Sequence, residues 1–95
     1  MLTPKNRATL KSLANGLNPT VILGKGELKD TTIEAINNGL EAHELIKIRI
    51  LNTQGEETKD LAAEITKLTK SELVAIIGRT ILLFKRNNKH PKIVL

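Results

Sequence analysis

Three short stretches of this sequence hold residue types able to do chemistry. The first is Gly24-Lys25-Gly26, with Lys29 close behind. Glycines let a backbone approach a phosphate, a following helix start would offer unpaired amides, and Lys25 and Lys29 would add charge. The run is too short for a nucleotide-binding P-loop and lacks its Lys-Ser/Thr ending, and the same glycines would serve equally well to turn the chain. Gly78-Arg79 has the same two readings, a tight turn or a turn that displays an arginine at its tip. The third stretch is Glu41-Ala42-His43-Glu44, where a histidine flanked by carboxylates could exchange protons with a substrate. A histidine interacting with a helix C-terminal dipole, beside exposed carboxylates, is the commoner arrangement. His90 stands beside Pro91 in a lysine-rich tail and would face phosphate or solvent.

The remaining catalytic inventory is thin. There is no cysteine, which removes disulfides, thiolate zinc sites and thiol catalysis, and the two histidines lack the spacing of a metal pair. No metal or other cofactor, no small-molecule substrate and no enzymatic activity are expected. Phe84 is the single aromatic residue. Modules that stack bases on two or three exposed rings are therefore nearly excluded.

A chain of 95 residues makes one domain, and it is this domain that must position the candidate residues. Thr3-Pro4 is an N-cap followed by proline at the first helical position, and Leu10, Leu13 and Leu17 recur at helical spacing, predicting a helix from Pro4 to Asn15. Residues Pro19 to Leu23 read as a strand entering the glycine turn. Thr31 and Glu34 have the spacing of a capping box, ahead of a helix from Asp30 to Ala42 with Ile33, Ile36 and Leu40 as its stripe. From Leu45 to Leu51 the pattern alternates, with Ile46, Ile48 and Ile50 on one face and Lys47 and Arg49 on the other. A turn from Asn52 to Gly55 leads to a third helix marked by Leu61, Ala62, Ile65 and Leu68. Glu72 to Ile77 and Thr80 to Phe84 form a hairpin around Gly78-Arg79, and Lys92 to Leu95 would add a last short strand. The order α-β-α-β-α-β-β predicts an α/β (α+β) single domain with a four-stranded mixed sheet packed by helices.

Charge is uneven along the chain. Residues 1–29 hold five bases against one acid and residues 79–95 hold five bases with no acid, whereas residues 30–78 hold nine acids and five bases. The overall net charge of +5 thus resides in the two ends. Brought together by the fold, they would form one basic surface for a polyanion; left apart, they would be solubilising tails. No apolar run approaches the roughly 18 residues of a membrane span and the start has no apolar signal core, so a cytoplasmic protein is expected.

Four blocks taken in order, Leu10-Lys-Ser-Leu-Ala14, Leu23-Gly-Lys-Gly26 with Leu28, His43-Glu-Leu-Ile-Lys-Ile48, and Ser71 through Phe84, resemble the YhbY-like family, the free-standing form of the chloroplast RNA splicing and ribosome maturation (CRM) domain. The resemblance implies a fold like the C-terminal domain of translation initiation factor three and binding to precursors of the large ribosomal subunit. It places the family's Gly-x-x-Gly loop on Gly24 to Glu27, where Glu27 stands at the second glycine. The family's last strand tends to end Leu-Tyr-Arg, and here it is Leu83-Phe84-Lys85.

These readings converge on an RNA-binding protein, a monomer, that holds structured rRNA by its phosphates. Gly24, Lys25, Gly26 and Lys29 would form the loop site, extended by Lys5, Arg7 and Lys11, with Lys47, Arg49, Arg79, Lys85 and Arg86 as further candidates. Three alternatives stand beside it: a protein-interaction module docking on an assembly factor or ribosomal protein through the sheet face around Lys47 and Arg49, a small enzyme using His43 with Glu41 or Glu44, and a DNA-binding protein.

Overall fold

A computed structural model of the chain describes residues 2–24, 28–51 and 55–95. Lys25, Gly26 and Glu27, and most of the expected Asn52–Gly55 turn, lie outside the described residues. The elements run α1 (Pro4–Ala14), β1 (Val21–Leu23), α2 (Asp30–His43), β2 (Leu45–Ile50), α3 (Gly55–Thr69), β3 (Glu72–Ile77) and β4 (Thr80–Phe84). They build one four-stranded mixed sheet in the order β1-β2-β4-β3, with β1 and β2 parallel and the other pairs antiparallel.

Both faces of the sheet are covered, by different helices. On one face Ile46, Ile48 and Ile50 of β2 and Ile81 and Leu83 of β4 pack with Ile36 and Leu40 of α2 and Ala62 and Ile65 of α3. On the other, Leu45, Val74, Leu82 and Phe84 pack with Leu10 and Ala14 of α1 and with Leu2. The β2 alternation is therefore real, but the face that carries Lys47 and Arg49 is not simply solvated, because α1 lies across part of it.

Local chemistry sets most element boundaries. The Thr3 hydroxyl accepts a 3.0 Å bond from the Asn6 amide and Pro4 occupies the first turn, as a capped start requires. Gly78 takes φ +60° at the first position of the two-residue β3–β4 loop, a conformation in which glycine has no Cβ to clash. Gly39 is needed for space: a Cβ there would stand 2.8 Å from Thr20 Cγ2 and 3.3 Å from Ile46 Cγ2, so its absence lets α2 lie close to the sheet.

Several expectations are corrected. α2 begins one residue before Thr31, at Asp30, with Lys29 at the cap position and no side-chain cap bond, so Thr31 and Glu34 do not form a capping box. In α1 the packed pair is Leu10 and Ala14, while Leu13 is 49% exposed. Leu68 is 52% exposed and does not join the α3 stripe. Lys92 to Leu95 form no strand. The backbone amides of Lys92 and Ile93 instead donate to the Glu44 carboxylate, at 2.6 and 2.8 Å.

Filling the Gly39 position should be costly. A Gly39→Leu variant is expected to lose about 2 kcal/mol in a urea titration from overpacking, whereas the same change at Gly16, where a Cβ would meet nothing within 4 Å, should cost far less.

Candidate nucleic-acid interface

Parallel pairing of β1 with β2 sends both strands toward the same end of the sheet, and each is followed there by a helix. The N-termini of α2 and α3 therefore sit at one pole, and their partial positive charges favour an anion there. Two backbone bonds tie this pole together: the Leu51 amide donates to the Leu23 carbonyl (2.7 Å) and the Ile50 amide to the Arg79 carbonyl (2.8 Å). Gly24, which follows Leu23, and the Gly78-Arg79 turn thus flank the end of β2. Lys29, at the start of α2, is exposed, as are Arg79 at the turn and Arg49 one residue before the end of β2.

The other cationic candidates lie elsewhere, and several have partners inside the fold. Leu2 donates to Glu72 Oε1 (3.2 Å), which sets the start of α1 beside the first residue of β3, at the opposite pole. Lys5 and Lys11 are exposed on α1. The Arg7 guanidinium donates to the carbonyl of Leu73 and, at 3.4 Å, to that of Val74. Lys47 Nζ donates to the Leu17 carbonyl and Lys85 Nζ to the Thr69 carbonyl, each at 3.0 Å. Arg86 bonds both oxygens of Glu44 at 3.2 Å and the Ile93 carbonyl at 2.8 Å, with its guanidinium carbon 5.3 Å from the Phe84 ring centre. Among the described residues, the two basic ends of the chain meet near Gly24 only through Lys29 and Arg79. Lys29, Arg49 and Arg79 collect at the glycine pole, while Lys85 and Arg86 end β4 at the other.

A groove of about 500 Å³ at that far pole is lined by Lys70, Lys85, Arg86 and Lys89 together with Asn37 and Glu41. It is the C-termini of α2 and α3 that open onto it, so their negative ends already engage these cations, as the Lys85–Thr69 bond illustrates.

Glu44 is the residue whose role the sequence misread. Far from being exposed, it is completely buried, at φ 63°, in the single-residue junction between α2 and β2. Besides Arg86, Lys92 and Ile93, the Asn87 amide donates to it at 2.6 Å. Burial on its own pushes the carboxyl up, but these amides and the Arg86 charge hold it below the ordinary 4.5. All of its acceptor capacity is spent on the chain itself, which leaves none for proton exchange with a substrate. His43, the last residue of α2, is exposed.

The family model of the CRS1/YhbY (CRM) domain matches residues 2–85. The chain belongs to this family. It is 40% identical over 95 residues to the Bacillus subtilis protein named Probable RNA-binding protein YqeI, covering all of this chain and 99% of that one. It is 35% identical over 94 residues to an RNA-binding protein of Haemophilus influenzae, covering 99% of this chain and 94% of that one. Among solved structures it resembles the solution structure of the hypothetical protein SAV1595 from Staphylococcus aureus, with a TM-score of 0.81 at 35% identity, over 99% of this chain and 100% of that one. The family expected from the four sequence blocks is thus the family found, and the α+β fold with its mixed sheet agrees. No helix among the described residues is long and apolar enough to cross a membrane.

Because the folded state depresses the Glu44 pKa, its contribution is fully present above the unfolded value and is lost as pH falls through the folded one. Urea midpoints should therefore drop on acidification below about pH 4.5. Glu44→Gln should be less stable at pH 7 by about 3 kcal/mol, since it leaves buried donors unmatched, and its stability should vary less with pH.

Proposed function

We propose that this CRM-family chain binds structured rRNA by its phosphates at the glycine pole, as a cytoplasmic monomer acting in assembly of the large ribosomal subunit. The observation that carries this reading is the meeting of two helix N-termini with the exposed cations Lys29, Arg49 and Arg79 at the end of the β1–β2 pair. Lys25 and Gly26, which follow Gly24 in the sequence, extend the same segment. Amides and ammonium groups recognise phosphate without regard to sequence, so affinity at this pole derives from backbone charge and RNA shape. Lys5 and Lys11 add longer-range attraction from α1. Arg7, Lys47, Lys85 and Arg86, whose charged groups bond within the fold, contribute mainly to the general positive field. The names of the relatives support RNA as the ligand, and the family resemblance supports the ribosomal precursor as its source.

With about four phosphates neutralised, affinity for an rRNA fragment should fall by roughly three decades for each tenfold rise in salt, and more steeply if α1 engages. Lys29→Ala and Arg79→Ala should each weaken binding and reduce the slope by about one unit, whereas Lys85→Ala should leave it nearly unchanged. A flat salt response would defeat the phosphate reading. Crosslinking in cells followed by sequencing of bound RNA should recover large-subunit rRNA precursors; recovery of messenger fragments alone would defeat the ribosomal one.

A further inference from the structure

One strip of the sheet is left open. Ile22, Arg49, Thr80 and Ile77 stand side by side across β1, β2, β4 and β3, because Ile22 pairs with Arg49, Arg49 with Thr80, and Thr80 with Ile77. Their neighbours in sequence, Val21, Leu23, Ile48, Ile50, Ile81 and Ile76, pack against α2 and α3, so all four face the α1 side. α1 does not reach them: its Leu10 and Ala14 pack on Leu45, Val74, Leu82 and Phe84, nearer the far pole. Ile22 is 56% and Ile77 53% exposed. Exposed aliphatic residues scattered singly are ordinary, and Leu68 is one. These two lie in one straight row about 14 Å long with an arginine between them.

The charge around the row narrows the choice of occupant. No acid occurs in β1, β2 or β4, and the one acid of β3, Glu72, is at the far end. The row ends where the glycine pole begins, since the Arg79 carbonyl takes the Ile50 amide immediately beyond Arg49. A polyanion held at the pole would thus lie along an aliphatic floor with a guanidinium in its centre. In an A-form duplex the bases are stacked inward and such a floor would meet only ribose and phosphate. Unpaired bases have free faces, and an arginine plane stacks on them where aromatic rings are missing.

We propose that the Ile22–Arg49–Thr80–Ile77 row receives unpaired bases of the RNA, so that the ligand is a loop, bulge or single-stranded segment and not continuous duplex. This rests on the phosphate site at the glycine pole and specifies which RNA that site accepts. Arg49 then acts through its planar guanidinium as well as its charge.

The test uses the full chain with two labelled RNAs, a mixed-sequence single strand of 12 nucleotides and the duplex formed with its complement, in anisotropy titrations at one salt concentration. The wild-type chain is expected to bind the single strand more tightly. Arg49→Lys, which keeps the charge, and the double variant Ile22→Thr with Ile77→Thr, which keeps β-branched side chains, should each weaken the single strand about fivefold or more and the duplex less than twofold. The salt slope of Arg49→Lys should match that of the wild type, and thermal midpoints should confirm that both variants fold. Unchanged affinity in the variants, or equal losses on both RNAs, overturns the base platform while leaving the phosphate site standing. Failure of the wild type to bind either RNA overturns both. Sedimentation of the free wild type as a dimer that the double isoleucine variant dissociates would assign the row to a second copy of the chain.

Discussion

A carboxylate with no access to water organises the half of the molecule furthest from the glycine pole. Glu44 caps the C-terminus of α2, joins it to β2, and accepts from Arg86, Asn87, Lys92 and Ile93. Removing a carboxylate from water is expensive, and the expense is offset only when nearly all its lone pairs are matched. Four groups from one segment do this, so the polar tail after β4 is folded back without helix or strand of its own. That folding also brings Ile93 to the α1 core and lays Arg86 along the Phe84 ring. The end of β2 that Glu44 fixes is continuous with the end that presents Arg49.

Against this anchored end, the opposite pole is built from exposed groups. The division follows from topology. Parallel strands followed by helices put the beginnings of α2 and α3 at one pole and their ends at the other, so these two helices present opposite backbone partial charges at the two. Cations occur at both, but with different consequences. At the far pole Lys85 and Arg86 meet a helix carbonyl and a buried carboxylate. At the glycine pole Lys29, Arg49 and Arg79 add to amides of the same sign, and Asp30 in the first turn of α2 offsets only part of that charge.

Features decided within a few residues were legible in the sequence. Thr3-Pro4 fixes the start of α1, alternation fixes β2, and Gly78 fixes the hairpin. What could not be read depends on distant backbone. The Thr31/Glu34 spacing suits a capping box, yet α2 starts at Asp30 with Lys29 at the cap, a position with no side-chain signal of its own. The partners of Arg7, Lys47 and Lys85 are carbonyl groups, which every residue has, so no side-chain pattern could reveal that these cations were engaged. Glu44 was misjudged because carboxylates near helix ends are usually exposed, and the one-residue junction that turns this one inward appears only once the strand is known to begin at Leu45.

The contact between Arg7 and β3 bears on how copies of the chain behave toward one another. β3 is the outermost strand on its side, and an outermost strand offers carbonyls and amides to which another chain could add. Here the ladder is irregular between Leu73 and Ala75, and the guanidinium sits on the carbonyls of Leu73 and Val74 at that irregularity. The outermost strand on the other side, β1, is only three residues long. Neither border is a good template, so this sheet is poorly suited to growth by strand addition.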